Sequence, residues 1–371
     1  MNTKQVITLL IIGSLFVFVF HHWNDDFIQP IKYFQEDIKS ELVTPNVTRS
    51  YIYHWPKCQK NMSAEKISAF SSLPSHIKTF LYYRHCRHFP MLLDVPGKCG
   101  GAENSGDVFL LLVVKSNPNN YDRREVLRKT WGKERIYDGV QIRRVFISGT
   151  SGNGFEKERL NAVLRFEQRE YNDILQWDFE ESFFNLTLKQ ILFLEWRERN
   201  CPDVRFLFNG DDDVFAHTDN MVDYLKSFKD NNGSGHLYAG YLFPDEKPVR
   251  WMKSKYYVPV QVQEPEVYPP YCGGGGYVLS GYTASVIYNM SKSITVHPID
   301  DAYMGMCLAK AELSPVSHQG FKTLGITIPS KSGDQYDPCF YRDLLVVHRF
   351  FSTEMYFLWH KLHEPDLKCE P

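Results

Sequence analysis

The spacing of apolar residues divides this chain into three stretches. The first is Val6 to Phe20, VITLLIIGSLFVFVF, which holds no charge. Lys4 precedes it, and His21, His22 and Trp23 follow. The run is short for the ~20 residues of a bilayer span, but the flanking aromatics extend it. HHWNDDF offers no small-residue cleavage site, so the pattern predicts an uncleaved signal anchor over 6–23 rather than a removed leader. Residues 1–5 become a cytoplasmic tail, and the rest of the chain lies on the lumenal side. From 24 to about 105 no period persists, and Pro30, Pro45, Pro56 and Pro74 punctuate a stem. Its end, HIKTFLYYRHCRHFPMLLDVPGKC, is too aromatic and Cys-bearing for a free linker. It is expected to order against the domain that follows, 106–371.

That domain opens with VFLLLVVKS from Val108, a continuous apolar run of the kind a strand buried on both faces shows. RREVLRKTWG follows as a helix, with Asp122 a candidate N-cap and Gly132 at its end. RRVFISG, DILQWDF and VRFLFNG read as strands. Residues 155–171 read as a charged helix and LTLKQILFLEWRERN as an amphipathic one. This alternation predicts an α/β fold, a largely parallel sheet with helices on both faces. Ligands then bind at the carboxyl ends of the strands.

Composition narrows the reading. With 43% hydrophobic and 23% charged residues the chain can build a large core. A formal net charge of -2 and the lack of a basic block argue against a nucleic-acid partner. The eight Cys include no CxxC pair, and their wide spacing fits disulfides in an oxidising compartment. Five Asn-X-Ser/Thr sequons, at Asn46, Asn61, Asn185, Asn232 and Asn289, point to the same compartment.

Candidate chemistry gathers at five places. Asp211, Asp212 and Asp213 end the strand VRFLFNG, and three adjacent negative charges call for something positive. Two carboxylates one residue apart can grip a hard divalent ion and bridge it to a nucleotide's phosphates. An acidic turn is the plainer alternative. In HPIDDAYMGMC, Asp300 or Asp301 begins a helix. One is the cap, the ordinary role of such an Asp, and its neighbour is free to face a cleft as general base. YPPYCGGGGYVLSG holds four consecutive glycines, unsuited to a strand interior. Gly274 and Gly275 could bring backbone N–H groups to an anion or sugar, with Tyr271 and Tyr277 as a substrate wall. Arg123, Arg124 and Arg128 lie on the first helix, with Arg124 and Arg128 on one face at i, i+4, at the ligand edge where Arg could meet phosphate or uracil; a solvated basic face is the equal alternative. His348 ends DLLVVHRFF and is a candidate metal ligand beside the acidic triplet.

RREVLRKTWG, GDDDVF, KYYVP with YPPYCGGGGYVLS, PIDDAYMGMC and DPCFYRDLLVVHRF resemble, in order over about 108–350, glycosyltransferase family 31. These are the β-1,3-galactosyl- and β-1,3-N-acetylglucosaminyltransferases, and FLYYRHCRHFPMLLDVPGKC looks like the N-acetylglucosaminyl branch. The resemblance implies a GT-A-like fold, with a Rossmann-like half that holds UDP, a mixed central sheet and an acceptor-binding half. It implies a catalytic domain over 106–371, with Asp211, Asp213 and His348 holding Mn²⁺ or Mg²⁺. Arg123, Arg124, Arg128, Asp211, Asp212, Gly274 and Gly275 would attend the nucleotide, and Asp301 or Asp300 would be the base. The implied reaction is inverting transfer of N-acetylglucosamine from UDP-GlcNAc, in β-1,3 linkage, to a galactose-terminated glycan of glycoprotein or glycolipid. A β-1,3-galactosyltransferase using UDP-galactose is the near alternative, and a non-catalytic sugar-binding membrane protein the distant one. The expected setting is the Golgi membrane, single-pass type II, held in the lipid bilayer by the one N-terminal anchor, with the assembly state left open.

Overall fold

The computed structural model describes residues 57–229, 231–323 and 336–369. The expected anchor and the first part of the stem lie outside the described residues. Among the described residues no helix is long and apolar enough to cross a membrane. The strands there are β1 (Met91–Leu93), β2 (Val108–Lys115), β3 (Arg135–Tyr137), β4 (Val140–Thr150), β5 (Ile174–Glu180) and β6 (Phe206–Asp211). They continue as β7 (Val214–Ala216), β8 (Tyr238–Phe243), β9 (Tyr271–Ser280), β10 (Val316–Ser317), β11 (Phe321–Lys322) and β12 (Val346–His348).

The main sheet runs β1-β5-β4-β2-β6-β9-β8-β10, with β3 added to β4. β5, β4, β2 and β6 are parallel neighbours, joined through helices. Beyond β6 the direction changes, and β9 is antiparallel to both β6 and β8. The largely parallel sheet expected from the alternation is therefore half right. No helix crosses between β8 and β9, so β9 returns antiparallel. The result is a mixed-sheet α/β architecture, as the resemblance implies.

β2 is buried along its whole length. Leu111 and Val113 enter one core, while Leu110, Leu112 and Val114 enter the other. Period-2 side chains with apolar cores on both faces explain its unbroken apolar run. The first core is covered by the helix Leu186–Asn200, which is buried on most sides rather than amphipathic. Several of its polar residues, Thr187, Lys189, Gln190 and Arg197, are internal too, and Lys189 Nζ sits 2.7 Å from the Glu181 carboxylate. The helices Tyr121–Lys129, Thr218–Lys226 and Ser352–Leu362 cover the second core with Leu127, Met221, Val222, Leu225, Met355 and Leu358.

The end of the stem belongs to this body. The helix Ser75–Tyr83 puts Ile77, Phe80 and Leu81 into the first core, and β1 pairs with β5. The fold therefore begins upstream of residue 106. Disulfides join Cys58 to Cys86, Cys99 to Cys201 and Cys339 to Cys369, while Cys272 and Cys307 are buried free thiols.

Candidate active site

The site starts from the register of two parallel strands. β2 ends at Lys115 and β6 at Asp211, and these are paired positions. Lys115 is buried at the end of an apolar run, so its ammonium needs partners. Nζ lies 3.0 Å from Asp211 Oδ1 and 3.1 Å from Asp300 Oδ2, and donates to the Gly274 carbonyl at 2.8 Å. Burial alone would lower its pKa, but Asp211 and Asp300 more than reverse that, so it stays charged. Lys115 thus ties the acidic turn to the PIDD segment.

The three aspartates separate by role. Asp212 is buried, and accepts from Ser116 Oγ and Asn120 Nδ2 at 2.8 Å and from Arg123 Nη1 at 2.7 Å. It braces the turn against the start of the helix Tyr121–Lys129. Asp211 and Asp213, half-buried, point together at His348, whose Nε2 is 3.7 and 3.2 Å from their oxygens. β12 delivers that histidine by pairing antiparallel with β7, His348 opposite Val214. Arg349 adopts a left-handed φ of 74°, and the N–H groups of Arg349 and Phe350 both donate to the Asp213 carbonyl.

The ligand atoms of Asp211, Asp213 and His348 all lie within 4.8 Å of one another. His348 Nδ1 faces the Thr323 carbonyl at 3.1 Å. A carbonyl can only accept, so Nδ1 carries the proton and Nε2 is left to the carboxylates. Burial disfavours the charged imidazole, but the bond to Asp213 and the charge of Asp211 raise its pKa. Burial pushes the Asp213 carboxyl up, and His348 and Arg123 bring it below its ordinary value. Asp211 stays raised, by burial against the pull of Lys115. Two carboxylates and one imidazole nitrogen fit a divalent cation such as Mn²⁺ or Mg²⁺.

Asp301 lies in the first turn of the helix Asp300–Lys310, beside Gly274 of β9. Its Oδ2 accepts from Gly274 N–H at 2.9 Å and its Oδ1 from Ala302 N–H at 2.8 Å. Burial and the charge of Asp300 beside it raise its pKa to about 7. Neither aspartate caps the helix. Ile299 holds that position, and Asp300 turns to Lys115 instead.

Several expectations need correction. The glycine run is a strand after all, part of β9, with an irregular register between Gly240↔Tyr277 and Leu242↔Cys272. A Cβ on Gly274 would stand 3.3 Å from Asp301 Oδ2, and one on Gly275 3.0 Å from His348 Nδ1. These glycines seat site side chains, and the Gly274 N–H is spent on Asp301. Tyr277 is a core residue stacked on Tyr238 at 4.7 Å, and Tyr271 is buried too. Arg124 and Arg128 are buried among Glu167 and Asp173, with distances of 2.6–3.0 Å. Arg124 also donates to Ser116 Oγ and the Asn117 carbonyl, and so shapes the loop that holds Asp212. Of the three arginines only Arg123 reaches the acidic turn. The helix that carries it starts at Tyr121 with Asn120 in the cap position, so Asp122 lies inside the first turn. Lys115, Ser116 and Asn120 were missed. The charge closing VFLLLVVKS was the readable sign for Lys115.

Sugar transfer needs a place to neutralise a departing phosphate and a base for the incoming hydroxyl, both in one cleft. The galactosyltransferase family profile matches residues 122–319. Human N-acetyllactosaminide beta-1,3-N-acetylglucosaminyltransferase 3 is 50% identical over 313 residues, 84% of this chain and 82% of that protein. Human acetylgalactosaminyl-O-glycosyl-glycoprotein beta-1,3-N-acetylglucosaminyltransferase is 47% identical over 317 residues, 85% of this chain and 81% of that protein. A solved galactosyltransferase, LgtC, in complex with donor and acceptor sugar analogs covers 69% of this chain and 98% of its own. At 12% identity and a TM-score of 0.34, that likeness is too loose to bear on mechanism. The chain belongs to the galactosyltransferase family.

Proposed function

We propose that this protein is an inverting, metal-dependent β-1,3-N-acetylglucosaminyltransferase. It moves N-acetylglucosamine from UDP-GlcNAc to a terminal galactose of a glycan. One observation carries the reading: Lys115 joins the Asp211, Asp213 and His348 cluster to the segment that bears Asp301. The names of the related proteins support the transferred sugar and the linkage.

Asp301 accepts the proton of the acceptor's 3-hydroxyl, and the oxygen attacks the anomeric carbon as the bond to UDP breaks. One displacement with one base converts the α-linked donor into a β-linked product without a covalent intermediate. Gly274 N–H aims the Asp301 carboxylate. Asp211, Asp213 and His348 would hold Mn²⁺ or Mg²⁺, which when bound supplies positive charge for the diphosphate. Arg123, half-exposed beside Asp212 and Asp213, adds cationic character at the same edge.

The proposed setting is the Golgi lumen, behind a single N-terminal type II anchor. The apolar run at 6–20 and the disulfides support it. A panel of UDP-GlcNAc and UDP-galactose against galactose-terminated acceptors, with and without chelator, tests the activity. Transfer from UDP-galactose alone would replace the donor, and full activity in chelator would remove the metal.

A further inference from the structure

The loop between β8 and β9, residues 244–270, is long and nearly without regular structure, yet it is firmly held. Arg250 donates to the carbonyls of Val258 and Gln263, both at 2.7 Å. Val258 N–H donates to Val249 and Tyr268 N–H to Glu246, both at 2.9 Å. Successive turns, Ser254 N–H to Trp251 O and Tyr257 N–H to Ser254 O, fix the tip. There Trp251 is 67% exposed, Met252 54% and Tyr256 42%. The tip sequence KPVRWMKSKYY holds four basic residues and no acid. Lys253 and Lys255 are exposed, and neither forms an ion pair among the described residues. Lys255 instead stands over the rings of Tyr256 and Phe183, at 4.8 and 5.6 Å. A lone exposed apolar side chain is ordinary, but three on a fixed loop beside unpaired cations mark an interaction site.

The position of the tip narrows the ligand. Tyr256 meets Phe183 edge-on at 5.3 Å. Phe183 packs against the buried cluster of Val258, Tyr268, Tyr271, Ile299 and Ala302, which flanks Asp301 in the chain. The tip is therefore joined through Phe183 to the start of the helix that carries the proposed base.

We infer that this tip is an acceptor subsite for an anionic sugar, one or more residues inward from the galactose that receives the transfer. The rings of Trp251 and Tyr256 stack on a pyranose face, and Lys253 and Lys255 take a sulfate ester or carboxylate carried by it. The inference rests on the proposed glycan transfer. A ligand that stacks on flat rings and ends at Asp301 is a glycan rather than an acidic peptide.

The test compares three acceptors with the same galactose terminus, one neutral, one bearing a sulfate ester and one a carboxylate on the inner sugar. Wild type should favour one anionic acceptor by about three- to tenfold in kcat/KM, mostly through KM, as two exposed charge contacts allow. The two anionic arms tell sulfate from carboxylate. In Lys253→Gln/Lys255→Gln the anionic-to-neutral ratio should fall to about one, and added salt should do the same in wild type. Trp251→Ala should raise KM for all three. Equal use of the three by wild type overturns the subsite and leaves the transfer reading standing, whereas transfer to none overturns that reading. Loss of UDP-sugar affinity in the double variant would assign the tip to the donor. Discrimination only between peptide carriers of the same neutral glycan would assign it to peptide. Either result overturns the inference.

Discussion

Asp300 and Asp301 are adjacent in sequence and differ in their partners. Asp300 pairs with Lys115, while Asp301 receives two backbone N–H groups. Asp301→Asn keeps the shape and removes the basicity. Turnover should fall by at least the ~10² expected of a missing general base, with UDP-sugar affinity little changed. Asp300→Asn should act through Lys115 and be milder, and a collapse there with near-normal Asp301→Asn would reverse the roles. The pH profile follows from the raised carboxyl, about 7 for Asp301. Below that value it is mostly protonated and cannot act as base, and above it is ionised. At saturating cation kcat/KM should therefore climb about tenfold per pH unit on the acid side and level off above about 7. A rate already flat between pH 5 and 7 would remove Asp301 as base. Lys115→Met leaves Asp211 and Asp300 facing each other without a cation. It should cost on the order of 3 kcal/mol in denaturant unfolding, as removal of one partner from a buried pair does. Lys115 was legible only as an anomaly, since its partners stand 96 and 185 positions away.

Among the elements, β9 and the two-stranded contact of β7 with β12 decide the site. Four glycines read as a break because propensity penalises them in a strand. Packing overrides this, since Asp301 and His348 occupy the volume that side chains at Gly274 and Gly275 would need. Gly275→Ala should push His348 off its aim. The Mn²⁺ concentration for half-maximal activity should rise about ten- to hundredfold, the usual cost of disturbing the residues behind a metal ligand. Gly274→Ala should instead lower kcat, with cation dependence unmoved. If the two variants gave the same phenotype, the separate seats would be wrong. The strand runs β2 and β6 were legible because burial on both faces leaves an unbroken apolar signature. Arg124 and Arg128 misled because an i, i+4 basic pair looks the same whether it faces solvent or, as here, Glu167 and Asp173.

In the molecule as a whole, the segment 57–105 is part of the folded body. A secreted fragment beginning at residue 57 should fold and transfer, while one beginning at 106 should aggregate. The shorter one lacks β1, the helix Ser75–Tyr83 and the partner of Cys201. Equal secretion and activity of the two would place the boundary at 106 after all. Cys99–Cys201 spans 102 positions and ties this segment to the end of a core helix. Cys99→Ser should destabilise by about 5 kcal/mol on the loop-closure estimate, seen as a lower thermal midpoint.

The amino-acid order alone established the α/β class, the acidic turn at a strand end, the two candidate aspartates and the family. Each is a local pattern: a period, a run of like charge, or a motif of fixed spacing. Tertiary structure decided which Asp of three is a brace, that glycines form a strand, which arginine reaches the site, and that Lys115 joins its two halves. Those outcomes depend on contacts between residues far apart in the chain, whose register and packing leave no periodic trace in the sequence.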